Sequence, residues 1–223
     1  MSITTNLNNI TSQLAEYVTL VAVSKTKPVS DLMEAYRAGQ RIFGENKIQE
    51  MVEKHEQMPK DIEWHMIGHV QRNKIKYMAS FVSLIQGVDN FKLLKEINKQ
   101  AIKHNRIINC LLQIKIASED SKFGMSNQEA VNILNSFEFR ELKNIKVTGL
   151  MGMATFTDDE AQLKKEFTHL TQTFNTLKEY QTNNCKLETI SMGMSADYRL
   201  AIDCGSTMIR VGSSIFGDRN YLI

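Results

Sequence analysis

Short apolar runs and amphipathic stretches alternate along the whole chain. Runs rich in Val, Ile, Leu and Met fall at 18–25, 41–46, 62–68, 82–89, 108–117, 147–155, 187–194 and 207–216. Their length and β-branched content predict eight strands. Helical spacing fills the intervals. A helix over 31–38 is closed by Gly39, placed as a C′ glycine. Others are expected at 47–57, 73–80 and 91–104, the last opened by Asn90 as N-cap. Ser126-Asn127-Gln128-Glu129 reads as a capping box, and Thr157-Asp158-Asp159-Glu160 repeats that pattern before the longest helix. A helix at 196–203 precedes the last strand, and another at 8–17 precedes the first.

Parallel strands follow from strict alternation, because each crossover helix returns the chain to the same end of the sheet. Eight such units predict an α/β fold. It is a single (β/α)8 TIM barrel over 1–223, with the extra N-terminal helix of segment 1–17 packing on it. An open doubly wound sheet ranks second. It would favour a glycine-rich turn after the first strand, whereas Lys25-Thr26-Lys27-Pro28 has no glycine.

Composition narrows the function classes. Charged residues make up 23% of 223, with a formal net charge of +2, so no charge excess draws the chain to nucleic acid or an anionic membrane. The first residues have neither a basic nor an apolar targeting region, and no apolar run reaches bilayer length. Cys110, Cys185 and Cys204 are far apart and form no CxxC, which fits reduced thiols and a cytoplasmic location. No long apolar surface stripe stands out, so a monomer is expected. The twelve methionines read mostly as core filler, with Met66, Met151, Met153, Met192 and Met194 near strand ends.

Two charges break the apolar pattern. Lys25 ends the run Leu20-Val21-Ala22-Val23-Ser24. Desolvating an ammonium is costly, and one escape is a depressed pKa that frees the amine as a Schiff-base former. The plainer alternative is a strand-end lysine reaching solvent or a carboxylate. Lys25 is the better-buried of the two lysines here and Lys27 the better-solvated. Arg210 lies between Ile209 and Val211, which places it inside the last strand rather than on the surface beside Asp203 or Asp218.

Catalytic groups of a barrel sit at the carboxyl ends of its strands. The last two strands end in Ser191-Met192-Gly193-Met194-Ser195 and Arg210-Val211-Gly212-Ser213-Ser214. Small hydroxyl residues and glycine let backbone N–H groups approach an anion, and these loop positions commonly hold phosphate. An amine on the first strand facing that cradle suggests a phosphorylated carbonyl compound. Pyridoxal 5′-phosphate (PLP) and a phosphosugar of a Schiff-base aldolase both satisfy the spacing. An arginine on a pyridine nitrogen only donates, so it would keep that nitrogen unprotonated and weaken the electron sink. His65 and His69 lack a third ligand and are separated by Gly68, so no metal is expected there. His55, His104 and His169 sit in polar helical patterns and read as solvated.

Six motifs carry a family resemblance. Ala22-Val23-Ser24-Lys25-Thr26-Lys27-Pro28, Phe43-Gly44-Glu45-Asn46, Trp64 through Lys74, Gly149-Leu150-Met151, Gly193 through Asp197, and Gly205 through Gly217 resemble the pyridoxal phosphate homeostasis protein family. That family is in turn similar to the N-terminal barrel of alanine racemase, of PLP fold type III. The likeness runs from Leu20 to Tyr221. It implies PLP as a Schiff base on Lys25, with Asn46 near the phenolic oxygen. It also implies phosphate on Ser195, Gly212 and Ser213, Arg210 at the pyridine nitrogen, and Met151 beside the ring. The implied role is PLP homeostasis without a firm catalytic reaction, with PLP-dependent apoenzymes as candidate recipients.

An amino-acid racemase is the alternative. Racemisation needs acid–base groups on both faces of the substrate Cα. In the alanine racemase pattern the second is a tyrosine of another domain, and only six residues follow Gly217 here. Tyr198 and Tyr221 are the available substitutes, and nothing in their spacing sets either opposite Lys25. The carrier reading is therefore expected. A pure interaction module would bind no chromophore.

Overall fold

Each apolar run forms a strand, and each strand pairs in parallel with the next. The computed structural model describes residues 2–119 and 123–217. Within these residues the strands are β1 Thr19–Val23, β2 Ile42–Glu45, β3 Glu63–Met66, β4 Leu84–Val88, β5 Ile108–Gln113, β6 Ile145–Met151, β7 Cys185–Ser191 and β8 Met208–Val211. They close as a barrel in sequence order, with β8 against β1. The fold is a (β/α)8 barrel. Strands buried on both faces lose the polar alternation of a half-exposed sheet, so they read as continuous apolar runs.

Helices form the outer layer: α1 Ile3–Thr11, α2 Val29–Arg37, α3 Ile48–Gln57, α4 Phe91–Lys103, α5 Asn127–Asn135, α6 Phe137–Arg140, α7 Glu160–Leu177, α8 Tyr198–Asp203 and α9 Ser213–Phe216. Packing divides into two compartments. Between strands and helices lie Phe43, Trp64, Leu93, Phe139 and Phe167. Inside the barrel, Val21, Leu84, Leu111, Met151 and Met208 make a smaller apolar layer, flanked by half-buried Ile42 and Met153.

Several elements differ from the sequence expectation. The first helix covers Ile3–Thr11 instead of 8–17. Ser2 caps it by accepting from the Thr5 N–H, and Leu7 and Ile10 supply its buried face, whereas Tyr17 is 67% exposed and anchors nothing. The segment expected as a helix over 73–80 is a 3-10 helix, Arg72–Tyr77. The long helix is capped by Asp159, whose carboxylate accepts from the Ala161 and Gln162 N–H groups, so Thr157 is not its N-cap. The last run splits at Gly212 into β8 and the short α9. Past β5, Ile114, Ile116 and Ala117 remain buried after leaving the ladder, so burial outlasts strand pairing there.

Candidate functional site at the barrel mouth

Closure of the barrel makes the first and last strands neighbours. Val21 pairs with Arg210 and Ala22 with Val211, which sets Val23 beside Gly212. A Cβ on Gly212 would lie 3.2 Å from the Val23 carbonyl oxygen, so the two backbones meet where a side chain would have to displace one. Lys25 follows two residues on, half-buried in the turn after β1. Strand alternation gives it the inward sense of Val21 and Val23. Lys27 is half-buried as well, and its Nζ donates to the Phe216 carbonyl at 2.9 Å, which ties the β1 turn to α9. Burial therefore does not separate the two lysines as the sequence suggested.

The loops after β7 and β8 meet through Ser195. Its Oγ accepts from the Gly212 N–H at 3.1 Å and the Ser214 N–H at 3.4 Å. Ser213 and Ser214 open α9 and are exposed. Hydroxyls and backbone donors thus line one edge of the mouth, beside the Lys25 turn.

Beneath them lies Arg210, 4% exposed. Its guanidinium donates to Ser191 Oγ at 2.7 Å and to the Gly152 carbonyl at 2.9 Å. Among the described residues it forms no ion pair. Burial pulls its pKa down to about 10, with Asp197 opposing, so it stays charged at neutral pH. The chain of donors continues across the barrel. Ser191 donates to Gln86 Oε1 at 2.7 Å, and Gln86 Nε2 stands 3.1 Å from His65 Nδ1. Gln86 Nε2 can only donate, so His65 Nδ1 accepts and the proton of a neutral ring sits on Nε2. Every bond in the relay points away from Arg210, which can serve only as a donor to whatever lies above it.

His65 makes this relay sensitive to acid. Burial lowers its pKa from 6.5 to about 3, so the folded state keeps it neutral while the unfolded chain protonates it. The stability it contributes is complete above pH 6.5 and is lost as pH falls toward 3, at about 1.4 kcal/mol per pH unit. Between pH 7 and pH 5 the protein should lose about 2 kcal/mol more than a His65→Gln variant, compared by urea midpoints. Equal losses would show that His65 is not held neutral.

These features meet a known pattern. The model of the alanine racemase N-terminal domain family matches residues 1–220. The pyridoxal phosphate homeostasis protein of Pasteurella multocida (strain Pm70) is 41% identical over 207 residues, which is 92% of this chain and 88% of that protein. The chain belongs to the pyridoxal phosphate homeostasis family. PipY of Synechococcus elongatus PCC7942, solved with PLP bound, superposes with a TM-score of 0.88 at 32% identity, covering 97% of this chain and all of that one. Alanine racemase of Clostridium difficile 630 shares the fold with a TM-score of 0.79 at 17% identity, covering 99% of this chain and 61% of that chain.

On this family barrel the expected residues fall in three places. Lys25, Ser195, Gly212 and Ser213 lie together at the mouth, with Arg210 under them. Asn46 follows β2 and is half-buried, inward by alternation with Ile42 and Gly44. Met151 is fully buried in the interior layer, paired across the ladder with Ser191. Tyr198 opens α8 and is half-buried, while Tyr221 and Asp218 lie outside the described residues. His69 turns away from His65, onto Asp89 at 3.2 Å and stacked on Phe123. His55 stacks on Phe81 at 3.8 Å between centroids and is half-buried rather than solvated. Among the described residues no cluster of His, Cys, Asp or Glu could hold a metal, and no helix is long and apolar enough to cross a membrane. Gln86 escaped the sequence reading, which had Ser191 only as part of a phosphate loop and His65 only as a rejected metal ligand. Their signal was available in kind, as polar residues inside apolar strands, but uncharged ones stand out less than Lys25 or Arg210.

Proposed function

We propose that this chain binds pyridoxal 5′-phosphate as a Schiff base on Lys25 and serves to hold the reactive aldehyde and pass it to PLP-dependent apoenzymes in the cytoplasm. The observation that carries this reading is the β1–β8 junction. It brings the turn that carries Lys25, a hydroxyl and N–H cradle, and a buried arginine that forms no ion pair among the described residues to one mouth. A phosphorylated pyridine aldehyde has a feature for each. PLP supplies an electrophilic carbonyl and an electron-withdrawing ring when bound.

The residues would divide the work as follows. Lys25 would hold the aldehyde carbon through a C=N bond, the carbonyl oxygen being lost as water that takes both protons of the neutral amine. No oxidant is needed, and hydrolysis reverses the step. Ser195, Gly212 and Ser213 bind the phosphate end. Arg210 donates to the pyridine nitrogen and keeps it unprotonated, which weakens the ring as an electron sink and favours storage over turnover. Asn46 would lie near the phenolic oxygen and Met151 beside the ring. Exposure of Ser213 and Ser214 leaves the phosphate end open to exchange.

A PLP titration tests this. The protein should turn yellow at one equivalent, and borohydride should bleach it and leave a pyridoxyl mass on the Lys25 peptide. A colourless protein, or a mass elsewhere, would overturn the reading. Turnover of D- or L-alanine at ordinary enzymatic rates would replace the carrier with the racemase.

A further inference from the structure

The two residues flanking Lys25 are gripped from outside the barrel by one buried ionic cluster. Ser24 is fully buried, and its hydroxyl donates to Glu45 Oε1 at 2.6 Å. Lys54 of α3 is 5% exposed. Its Nζ donates to the Ser24 carbonyl, to Glu45 Oε1 and to Glu50 Oε1, each at 2.7 Å. An ammonium has three hydrogens, and these three acceptors use them all. Glu50 Oε1 also accepts from the Thr26 backbone N–H at 2.5 Å.

Thr26 stands at φ 65°, a left-handed conformation that β-branched residues rarely adopt. Such backbone persists where its surroundings enforce it. Here the Glu50 carboxylate, itself fixed by Lys54, enforces it together with the Lys27 N–H, which donates to the Ser24 carbonyl at 3.1 Å and closes the turn. Stability alone is a poor reason for this arrangement. Burying Glu45 and Lys54 carries a desolvation cost that ion pairing often fails to recover. Glu45 Oε2 is also buried, with no hydrogen-bond partner among the described residues.

We propose that Glu45, Lys54 and Glu50 are positioning residues that lock the backbone on both sides of Lys25, so that its amine is presented to the barrel interior in the attitude Schiff-base formation requires. This rests on the reading of Lys25 as the PLP lysine. The cluster is buried between β2, α3 and the turn after β1 rather than among the mouth loops. It acts by removing freedom from the turn before the aldehyde arrives, which is the usual source of gain from preorganisation.

Glu50 is the residue to change, because its side chain is 22% exposed and its loss leaves Lys54 still paired with Glu45. Two ligands separate positioning from general binding. PLP forms the imine, whereas pyridoxine 5′-phosphate has the same ring and phosphate with an alcohol in place of the aldehyde. Glu50→Ala should weaken imine formation about tenfold, the size of one lost charge-assisted hydrogen bond. Its affinity for pyridoxine 5′-phosphate should stay within about twofold of wild type. Glu50→Gln keeps an acceptor oxygen for Thr26 and should recover most of the imine. Wild-type imine formation in Glu50→Ala would overturn the proposal. So would an equal loss for both ligands, or a Gln variant as weak as the Ala variant. If the wild-type protein itself gave no reducible adduct, the PLP reading would fall instead, a distinct result.

Discussion

Lys25→Ala should yield a folded barrel that never gives a borohydride-reducible adduct. Lys25 is half-buried in a turn, so truncating it removes little packing and should leave the thermal midpoint close to wild type. The covalent step has no substitute. Lys27 is the nearest other amine in sequence, but its Nζ is engaged with the Phe216 carbonyl, beside α9 rather than over Arg210. Noncovalent binding should survive through Ser195, Gly212 and Arg210. PLP affinity should therefore fall at least about thirtyfold, the factor that corresponds to a 2 kcal/mol anchor, rather than vanish. Mass spectrometry after reduction and a calorimetric titration measure the two parts. Lys27→Ala is the matched control and should still form the adduct. Persistence of the adduct in Lys25→Ala, or its transfer to Lys27, would sink the assignment.

The sequence carried the architecture well, for a physical reason. Parallel strands covered on both faces have to be apolar throughout, and the helices between them have to be amphipathic, so the βα alternation is written twice. Lys25 and Arg210 were legible because a charge inside such a run has to be explained. Ser195 and Gly212 were legible as loop chemistry at the two strand ends that close on the first. What was lost depends on contacts between segments distant in sequence. Lys54 lies in the helical pattern of 47–57 with nothing to single it out, yet α3 folds it onto Ser24 and Glu45. Gln86 and Ser191 are 105 positions apart and become partners only when the barrel closes. Element ends slipped for the same reason. Ile215 and Phe216 are buried, which hides the change from β8 to α9, and only Gly212 marks it.

Gly149→Ala should be the most damaging single methyl group in the barrel. Gly149 lies on β6 opposite Thr189 of β7, at a shift in register between the two strands. A Cβ there would sit 1.9 Å from the Thr189 carbonyl oxygen and 2.7 Å from its carbon. Both are backbone atoms, so no side-chain rotation relieves the overlap. Replacing glycine reduces unfolded-state entropy and can stabilise by about 0.4–1 kcal/mol. Overpacking of this kind costs about 3 kcal/mol or more and should dominate. In a chain of this length that corresponds to a fall of roughly 6–12 °C in Tm. Relief has to come from β7 moving outward, against the backbone bonds that join Ile190, Met192 and Gly193 to Thr207, Met208 and Arg210 on its far side. Ser191 would move with it and take the Arg210 contact along. The variant should therefore lose PLP affinity even under conditions where it remains folded, although residue 149 is a buried strand position remote in sequence from both mouth loops. Calorimetry of the apo-protein and a PLP titration at 15 °C measure both effects. A Tm within 2 °C of wild type would mean that the β6–β7 contact is looser than this geometry requires, and the coupling from Gly149 to Arg210 would fall with it.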